Sequence, residues 1–261
     1  VTADSDPRES QPQAWSRAAA EYEREFVDPY REPRGHPLLT ALARIRGSEK
    51  MTALDLGCGI GPLLPELASR FARVEAVDFA PGMLDRARER CRTLGNVTFH
   101  ERRLSDLAPF RGLADVAIAV NSLVMPDVAE LDAVLAEVFA CLRPSGHFLG
   151  IVPAMDGVLY HSLLLLERAR AAGMPLAQAR KSAAQHAEHH LYDFAFGGFA
   201  YRGIEQHFWQ PFEVGLRLRR AGFVRVRREK ARLSWDQHAR GADFRGLPPP
   251  WDWFFQARRP R

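Results

Sequence analysis

The sequence has no long apolar run. Its apolar runs, such as Val116–Val120, Val138–Leu142 and the leucines Leu163–Leu166 inside a charged segment, reach five residues at most, far below the ~20 residues that cross a bilayer. Cysteine is scarce. Cys58, Cys91 and Cys141 are odd in number and far apart, which excludes a disulfide framework and offers no metal-ligand spacing. No H-E-x-x-H pattern and no internal repeat appear. Charge is nearly balanced, with 36 Lys and Arg against 32 Asp and Glu. The opening residues VTADSDPRESQPQ lack an apolar core, so residues 1–13 read as a disordered tail and not as a secretory signal. A reducing cytoplasm is the expected compartment. The chain's 261 residues suit one large α/β domain with an elaboration, or two small domains.

The small basic excess is local. Between Arg217 and Arg232 eight residues are basic and one, Glu229, is acidic. Such a patch could meet phosphates. The plainer reading is a solvated helix followed by a strand whose arginines alternate outward, as in Val224-Arg225-Val226-Arg227.

From Met51 to Val152 strands and helices alternate, which requires parallel strands joined by crossovers. MTALDL, RVEAVD, VTFHER, DVAIAV and HFLGIV read as five strands. Helices are expected over GPLLPELASRF, from Pro81 to about Leu94, and from about Asp127 to Leu142, where Val128, Leu131, Leu135, Val138 and Leu142 share a face. Pro144-Ser145-Gly146 turns the chain into the fifth strand. After Ala154 the alternation breaks. Residues 156–172 and 175–190 read as consecutive helices, followed by the aromatic, glycine-rich LYDFAFGGFAYRG. WQPFEVGLRLRRAGF resumes as a helix, FVRVRREKARL as a strand, and WDWFFQA as a last strand. The expected fold is a Rossmann-like, seven-stranded, mostly parallel sheet between helices. Its parts are residues 14–154 (N-terminal helices and ligand-binding core), a mainly helical cap over 155–208, and the rest of the core over 209–261.

Gly57, Gly59 and Gly61 follow a strand and open a helix. Glycines let a ligand approach the backbone, and a helix start supplies N–H groups and a positive dipole end. Asp78 ends the next strand, 19 residues after Gly59, where an acid can accept both hydroxyls of a ribose. A dinucleotide fingerprint needs a small residue where Pro62 stands, so a nicotinamide oxidoreductase is disfavoured.

LDLGCGIG, EAVDFAPGML, NSLVMPD and CLRPSGHF, taken in this order, resemble the motifs of the class I S-adenosylmethionine-dependent methyltransferases. The resemblance covers residues 51–153 and returns at WQPFEVGLRLRRAGF. It implies S-adenosyl-L-methionine as cofactor and S-adenosyl-L-homocysteine as product. Asp55, Gly57, Cys58 and Gly59 would line the methionine part, Asp55 helping to receive the ammonium. Asp78 would hold the ribose, Phe79 and Met83 would flank the adenine, and Asn121 would sit beside the methionine end. Tyr22 resembles an N-terminal tyrosine that closes over the cofactor. One position departs: Arg103 stands where relatives often carry an acid for the adenine amino group, and a guanidinium cannot accept. Either the backbone at Leu104 reads the adenine edge or Asp106 reaches in.

The acceptor pocket is expected in the cap, over the strand ends. His186, His189, His190 and Tyr192 are the candidates for catalysis. His186 and His190 are four apart and would share a face if the helix ran that far. A histidine could act as a base, the pair could hold a metal, or all could be ordinary cap residues; no third ligand is fixed, so no metal is assigned. The aromatics Phe194, Phe196, Phe199, Tyr201, Phe208 and Trp209 could line a pocket or form the cap's own core, and Gly197-Gly198 could be a lid hinge. Trp235, Trp251 and Trp253 are expected to pack the last strands. The leading expectation is methylation of a small molecule, a specialised metabolite, at oxygen or nitrogen by a monomer or homodimer, without membrane or nucleic acid. The alternatives are an RNA methyltransferase using residues 217–232 and a cofactor-binding regulator without catalysis.

Overall fold

The computed structural model describes residues 10–22, 29–30, 35–238 and 240–261. Its main sheet runs β3-β2-β1-β4-β5-β10-β9. Here β1 is Thr52–Leu56, β2 Arg73–Asp78, β3 Val97–Glu101, β4 Ala114–Val120, β5 Leu142–Val152, β9 Val224–Arg232 and β10 Trp251–Arg258. The first five pair in parallel, and β10 runs antiparallel to both β5 and β9. This is the expected seven-stranded, mostly parallel sheet. Buried on both faces, its central strands carry Ala, Leu, Val and Ile rather than an alternating pattern.

The helices α3 (Leu64–Arg70), α4 (Pro81–Arg90) and α5 (Val128–Cys141) make the crossovers. Leu64 and Leu67 close one face of the sheet; Leu131, Leu135 and Val138 close the other. Each helix is shorter than the periodicity implied. Val128 is 41% exposed and Leu142 already belongs to β5. Pro144-Ser145-Gly146 is a bulge: the β4–β5 register shifts there and Ser145 adopts φ 65°.

The chain between β1 and β4 reverses its direction of growth across the sheet, because β2 lies on one side of β1 and β4 on the other. Ligand crevices form outside the carboxyl ends of strands at such a switch point. The loops after β1, β2 and β4 all end there.

At the N-terminus, residues 10–13 depart from the disordered tail expected over 1–13. Residues 1–9 lie outside the described residues, but α1 spans Gln11–Ala18, capped by Ser10 with Gln13. It docks on α4, where Ser16 Oγ accepts from Gly82 N at 3.2 Å. A short helix, α2 (Pro37–Ala43), buries Leu38 and Leu42.

Residues 155–208 hold more strand than expected. After α6 (Met155–Ala171) and α7 (Leu176–His186) comes a three-stranded antiparallel sheet of β6 (Tyr192–Asp193), β7 (Gly198–Tyr201) and β8 (Ile204–His207). The second helix stops at His186, and Glu188 takes a left-handed conformation at φ 51°. His190 therefore does not continue the face of His186. Gly197 is not an open hinge: a Cβ there would stand 2.5 Å from the Phe208 carbonyl oxygen. Next to this segment, Trp209 ties the chain to the core, its Nε1 donating to Leu123 O at 2.7 Å. His207 N donates to Val124 O at 2.9 Å. The chain returns through α8 (Glu213–Arg220) to β9.

On β9 the valines and arginines do not alternate cleanly. Val224 is 43% exposed and Arg225 sits at φ 54°, beside a register shift against β10. Several cations of this segment are engaged. Arg217 pairs with Asp132 and Glu213, Arg228 covers the Trp253 ring, and Lys230 covers the Trp251 ring. Trp251 and Trp253 lie on β10, while Trp235 joins Leu165, Ala183 and Phe244 in a small separate core. Among the described residues no helix is long and apolar enough to cross a membrane.

Candidate active site

The loop Gly57–Gly61 needs its glycines for three separate reasons. All three take positive φ, 70°, 54° and 77°, a region costly for residues with a Cβ. A Cβ on Gly57 would meet Ser122 Cβ at 2.3 Å, and one on Gly61 would meet Ala87 Cβ at 3.2 Å. At Gly59 nothing lies within 4 Å, and this residue lines a cavity. So Gly57 and Gly61 are demanded by packing, whereas Gly59 leaves the backbone open to a ligand.

Asp78 organises the loop. Its Oδ2 accepts from Gly59 N and its Oδ1 from Ala80 N, each at 2.9 Å. Each oxygen keeps a further lone pair. Burial raises its carboxyl above the ordinary range against the lowering effect of these N–H groups.

Of the residues singled out for the cofactor, Tyr22, Gly57, Gly59, Asp78, Phe79, Met83, Arg103, Leu104 and Asn121 line this cavity. Asp55 and Cys58 do not. Cys58 packs into the helix layer with Leu63 and Leu64. Asp55 is 3% exposed behind the loop, and its Oδ2 has no hydrogen-bond partner among the described residues. Asp106 is exposed and turned to Arg102, with Arg102 Nη1 donating at 2.7 Å, so it does not reach the adenine side. Trp15 lines the cavity and was missed. It precedes Ala19 and Tyr22 at helical spacing, and this face packs on Ile60 and Met83.

A second cavity adjoins the first and shares Trp15, Tyr22, Asn121 and Val124 with it. It is walled by α6, the end of α7, the β6–β8 sheet and the start of β10. His186 and Tyr192 line it. His189 and His190 line neither cavity, so the structure does not bring them together with His186 and Tyr192. The His189 ring is turned to Ser162 Oγ at 2.8 Å and stacks edge-on with Phe194, and His190 is exposed. Both displacements follow from the helix ending at His186. Burial, then the charges of Glu188 and Asp252, push the Tyr192 phenol up, so it stays a neutral donor.

Phe199, Tyr201 and Phe208 face this cavity, whereas Phe196 is 81% exposed and Trp209 belongs to the main core. The residues sequence reasoning missed are His161, Gln206, His238, Trp251 and Asp252. Burial, then His161, lowers His238 to about 4, so its imidazole is neutral near pH 7. Asp252 is 7% exposed; its Oδ1 accepts from Ala154 N and its Oδ2 from Asn121 Nδ2, both at 3.3 Å. A visible signal existed: Asp252 is the one acid inside the apolar WDWFF run.

Burial, and then Asp78, raise the Asp55 carboxyl from 3.8 to about 7. The folded state therefore holds a proton that the unfolded chain releases near the ordinary value. Stability from this group is complete below about pH 4 and is lost as pH rises through about 7. The ligand-free protein should melt at lower temperature at pH 8 than at pH 5, and Asp55→Asn should flatten that slope in a thermal-shift series. An unchanged slope in the variant would place the titration elsewhere.

Residues 53–146 match the model of a methyltransferase domain. The chain is 37% identical over 86 residues to a magnesium-protoporphyrin O-methyltransferase of Rhodobacter capsulatus, covering 32% of this chain and 38% of that protein. It is 40% identical over 95 residues to a malonyl-[acyl-carrier protein] O-methyltransferase of Serratia marcescens, covering 36% and 34%. This chain thus spans little more than a third of the length of these curated relatives. Among solved structures, the N-methyltransferase NodS of Bradyrhizobium japonicum, in complex with S-adenosyl-L-homocysteine, superposes with a TM-score of 0.63 at 16% identity. That match covers 97% of this chain and 100% of NodS, and shows a shared fold.

Proposed function

We propose that this chain, whose residues 53–146 match a methyltransferase-domain model, is a Rossmann-like S-adenosylmethionine-dependent methyltransferase that moves a methyl group to an oxygen or nitrogen of a small molecule. The observation that carries the reading is the pair of adjoining cavities. One is built by the glycine loop and Asp78, the other by the cap, and they meet at Trp15, Tyr22, Asn121 and Val124.

The residues present fit the cofactor. Gly59 offers open backbone, Asp78 keeps lone pairs for two ribose hydroxyls, and Phe79, Met83 and Leu104 offer apolar walls for a flat base. Arg103 lines the wall where an acid is common in relatives, so the backbone at Leu104 reads the adenine edge. Asp55, buried behind the loop with an unpartnered oxygen, would ionise against the ammonium end, whose charge opposes the rise of its pKa. When bound, the cofactor supplies an activated methyl on a sulfonium, which is already a good leaving group.

The protein's work is then alignment, since a displacement needs acceptor, carbon and sulfur in line. Tyr22 and Trp15 wall both cavities and exclude water from their junction. Asn121 is held there by its own strained backbone, φ 50°, with its N–H donating to Ile151 O at 2.8 Å. The acceptor enters from the cap side, between Phe199, Tyr192 and Trp251. The aromatic enclosure fits a small molecule better than a polynucleotide, which favours this reading over RNA.

Calorimetry should show S-adenosyl-L-homocysteine binding at micromolar dissociation constants and no heat with NAD. Binding of NAD alone would overturn the reading. Binding of S-adenosylmethionine without turnover across a broad acceptor set would favour a regulator.

A further inference from the structure

Two hydrogen-bond acceptors stand next to the junction between the cavities: Asn121 lines both cavities, and Asp252, bonded to it, lines the second. Asp252 is a buried carboxylate that holds Asn121 Nδ2. Facing a carboxylate, the Asn121 amide must turn its NH2 inward, so its Oδ1 is left to point elsewhere. That Oδ1 is buried and has no partner among the described residues. Asn121 Oδ1 and the Asp252 carboxylate are thus two acceptors carried by neighbouring, hydrogen-bonded side chains on the wall of the second cavity. Among the described residues lining the second cavity there is no lysine or arginine. Lys230 covers a face of Trp251 without lining the cavity, and Arg103 lines only the cofactor cavity. An anionic acceptor would meet neither lysine nor arginine on this wall, and would face the Asp252 carboxylate and the unpartnered Asn121 Oδ1. Glu188 adds a second acid, and Trp15, Tyr192, Tyr201 and Trp251 add ring faces that attract a cation.

We propose that the acceptor is an amine on an apolar or aromatic body, with its nitrogen received by Asn121 Oδ1 and Asp252, and that Asp252 is the catalytic residue that takes its proton. This deepens, and rests on, the methyltransferase reading above. The ammonium gives one proton to the Asp252 carboxylate, which frees the nitrogen lone pair. That pair forms the N–C bond as the C–S bond breaks. The C–S electrons stay on sulfur as the neutral thioether, and the methylated amine leaves as an ammonium. The Asp252 proton passes to water as the product departs. Burial, against the lowering effect of the Asn121 and Ala154 donors, holds this carboxyl up at about 7, close to the value at which a base works best near neutrality. His161, His186, His238, Glu188, Tyr22, Tyr192 and Tyr201 are the other titratable groups around the cavity. Tyr192 and His238 are both pushed toward their neutral forms.

The test uses the full chain with matched aryl-alkyl amines, phenols and carboxylates of one carbon skeleton. Binding to protein saturated with S-adenosyl-L-homocysteine is read by calorimetry, and turnover by thioether release from S-adenosylmethionine. The amine series should bind and turn over at least ~10-fold better than the other two, which corresponds to one charge-assisted contact. Equal or better performance by the carboxylates or phenols overturns the proposal. Asp252→Asn should lower amine turnover about 100-fold or more and remove the rise of rate with pH through about 7. Its affinity for S-adenosyl-L-homocysteine should stay within ~3-fold, since Asp252 lies outside the cofactor cavity. Full amine turnover in this variant also overturns the assignment. Loss of cofactor binding by the unmodified protein would instead strike the underlying methyltransferase reading, and calorimetry without any amine reports that separately.

Discussion

Replacing Asp78 by alanine should weaken S-adenosyl-L-homocysteine binding by about 100-fold or more. Two hydrogen bonds from ribose hydroxyls to a carboxylate contribute roughly 1.5–3 kcal/mol each, and 1.4 kcal/mol is about tenfold in affinity. The same side chain does a second job. It accepts from Gly59 N and Ala80 N at 2.9 Å, so its removal strands two backbone donors at the base of the loop. The variant should therefore also melt earlier than the parent without ligand. Asp78→Asn touches both roles as well: the amide keeps one acceptor oxygen but turns a donor toward the other N–H, so it should also bind more weakly and melt earlier than the parent. Calorimetry and thermal melting of both variants decide the matter. Unchanged affinity in Asp78→Ala would mean the ribose is held elsewhere.

The core was legible in the sequence because each of its signals is local. A buried parallel strand is a short apolar run, and a turn glycine shows as glycine. β2 came out at Arg73–Asp78 as read. The cofactor residues were legible for the same reason: they sit at fixed offsets from strand ends, so Asp78, Phe79 and Met83 follow once the strand is placed. Asp55 and Cys58 show the limit of that logic. They belong to the same loop motif, but the sheet directs their side chains behind it rather than into the cavity. The acceptor side was poorly legible because it is assembled from distant pieces. His161, His238 and Asp252 come from a cap helix, a loop and the last strand, and no spacing joins them. The histidine cluster misled because helical periodicity was extended past His186, while the left-handed Glu188 turned His189 and His190 away. A left-handed non-glycine residue leaves little trace in sequence.

Gly57→Ala should destabilise the fold by about 2–5 kcal/mol, adding ~1–2 for a left-handed alanine and ~1–3 for an overpacked contact. The clash is specific. The new Cβ would lie 2.3 Å from Ser122 Cβ, and Ser122 is held in place by donating its hydroxyl to Leu56 O at 2.5 Å. Removing that Cβ in Ser122→Gly costs the hydroxyl's hydrogen bond, ~1 kcal/mol, but clears the space. The double variant should thus be more stable than the sum of the singles by about 1–2 kcal/mol, a coupling of the size expected for residues in contact. Additive singles would mean that the β1 loop does not pack on the turn after β4 as described. Gly59→Ala is the counterpart. Its φ of 54° costs a similar backbone term, but nothing lies within 4 Å of the new Cβ. It should fold with a loss of only about 1–2 kcal/mol and still bind S-adenosyl-L-homocysteine at least ~10-fold more weakly, because its methyl occupies the ligand's approach. Denaturant melts paired with calorimetry on the two variants then divide one glycine motif into its parts. Gly57 is held by the protein's own packing, and Gly59 by what must come close to the backbone.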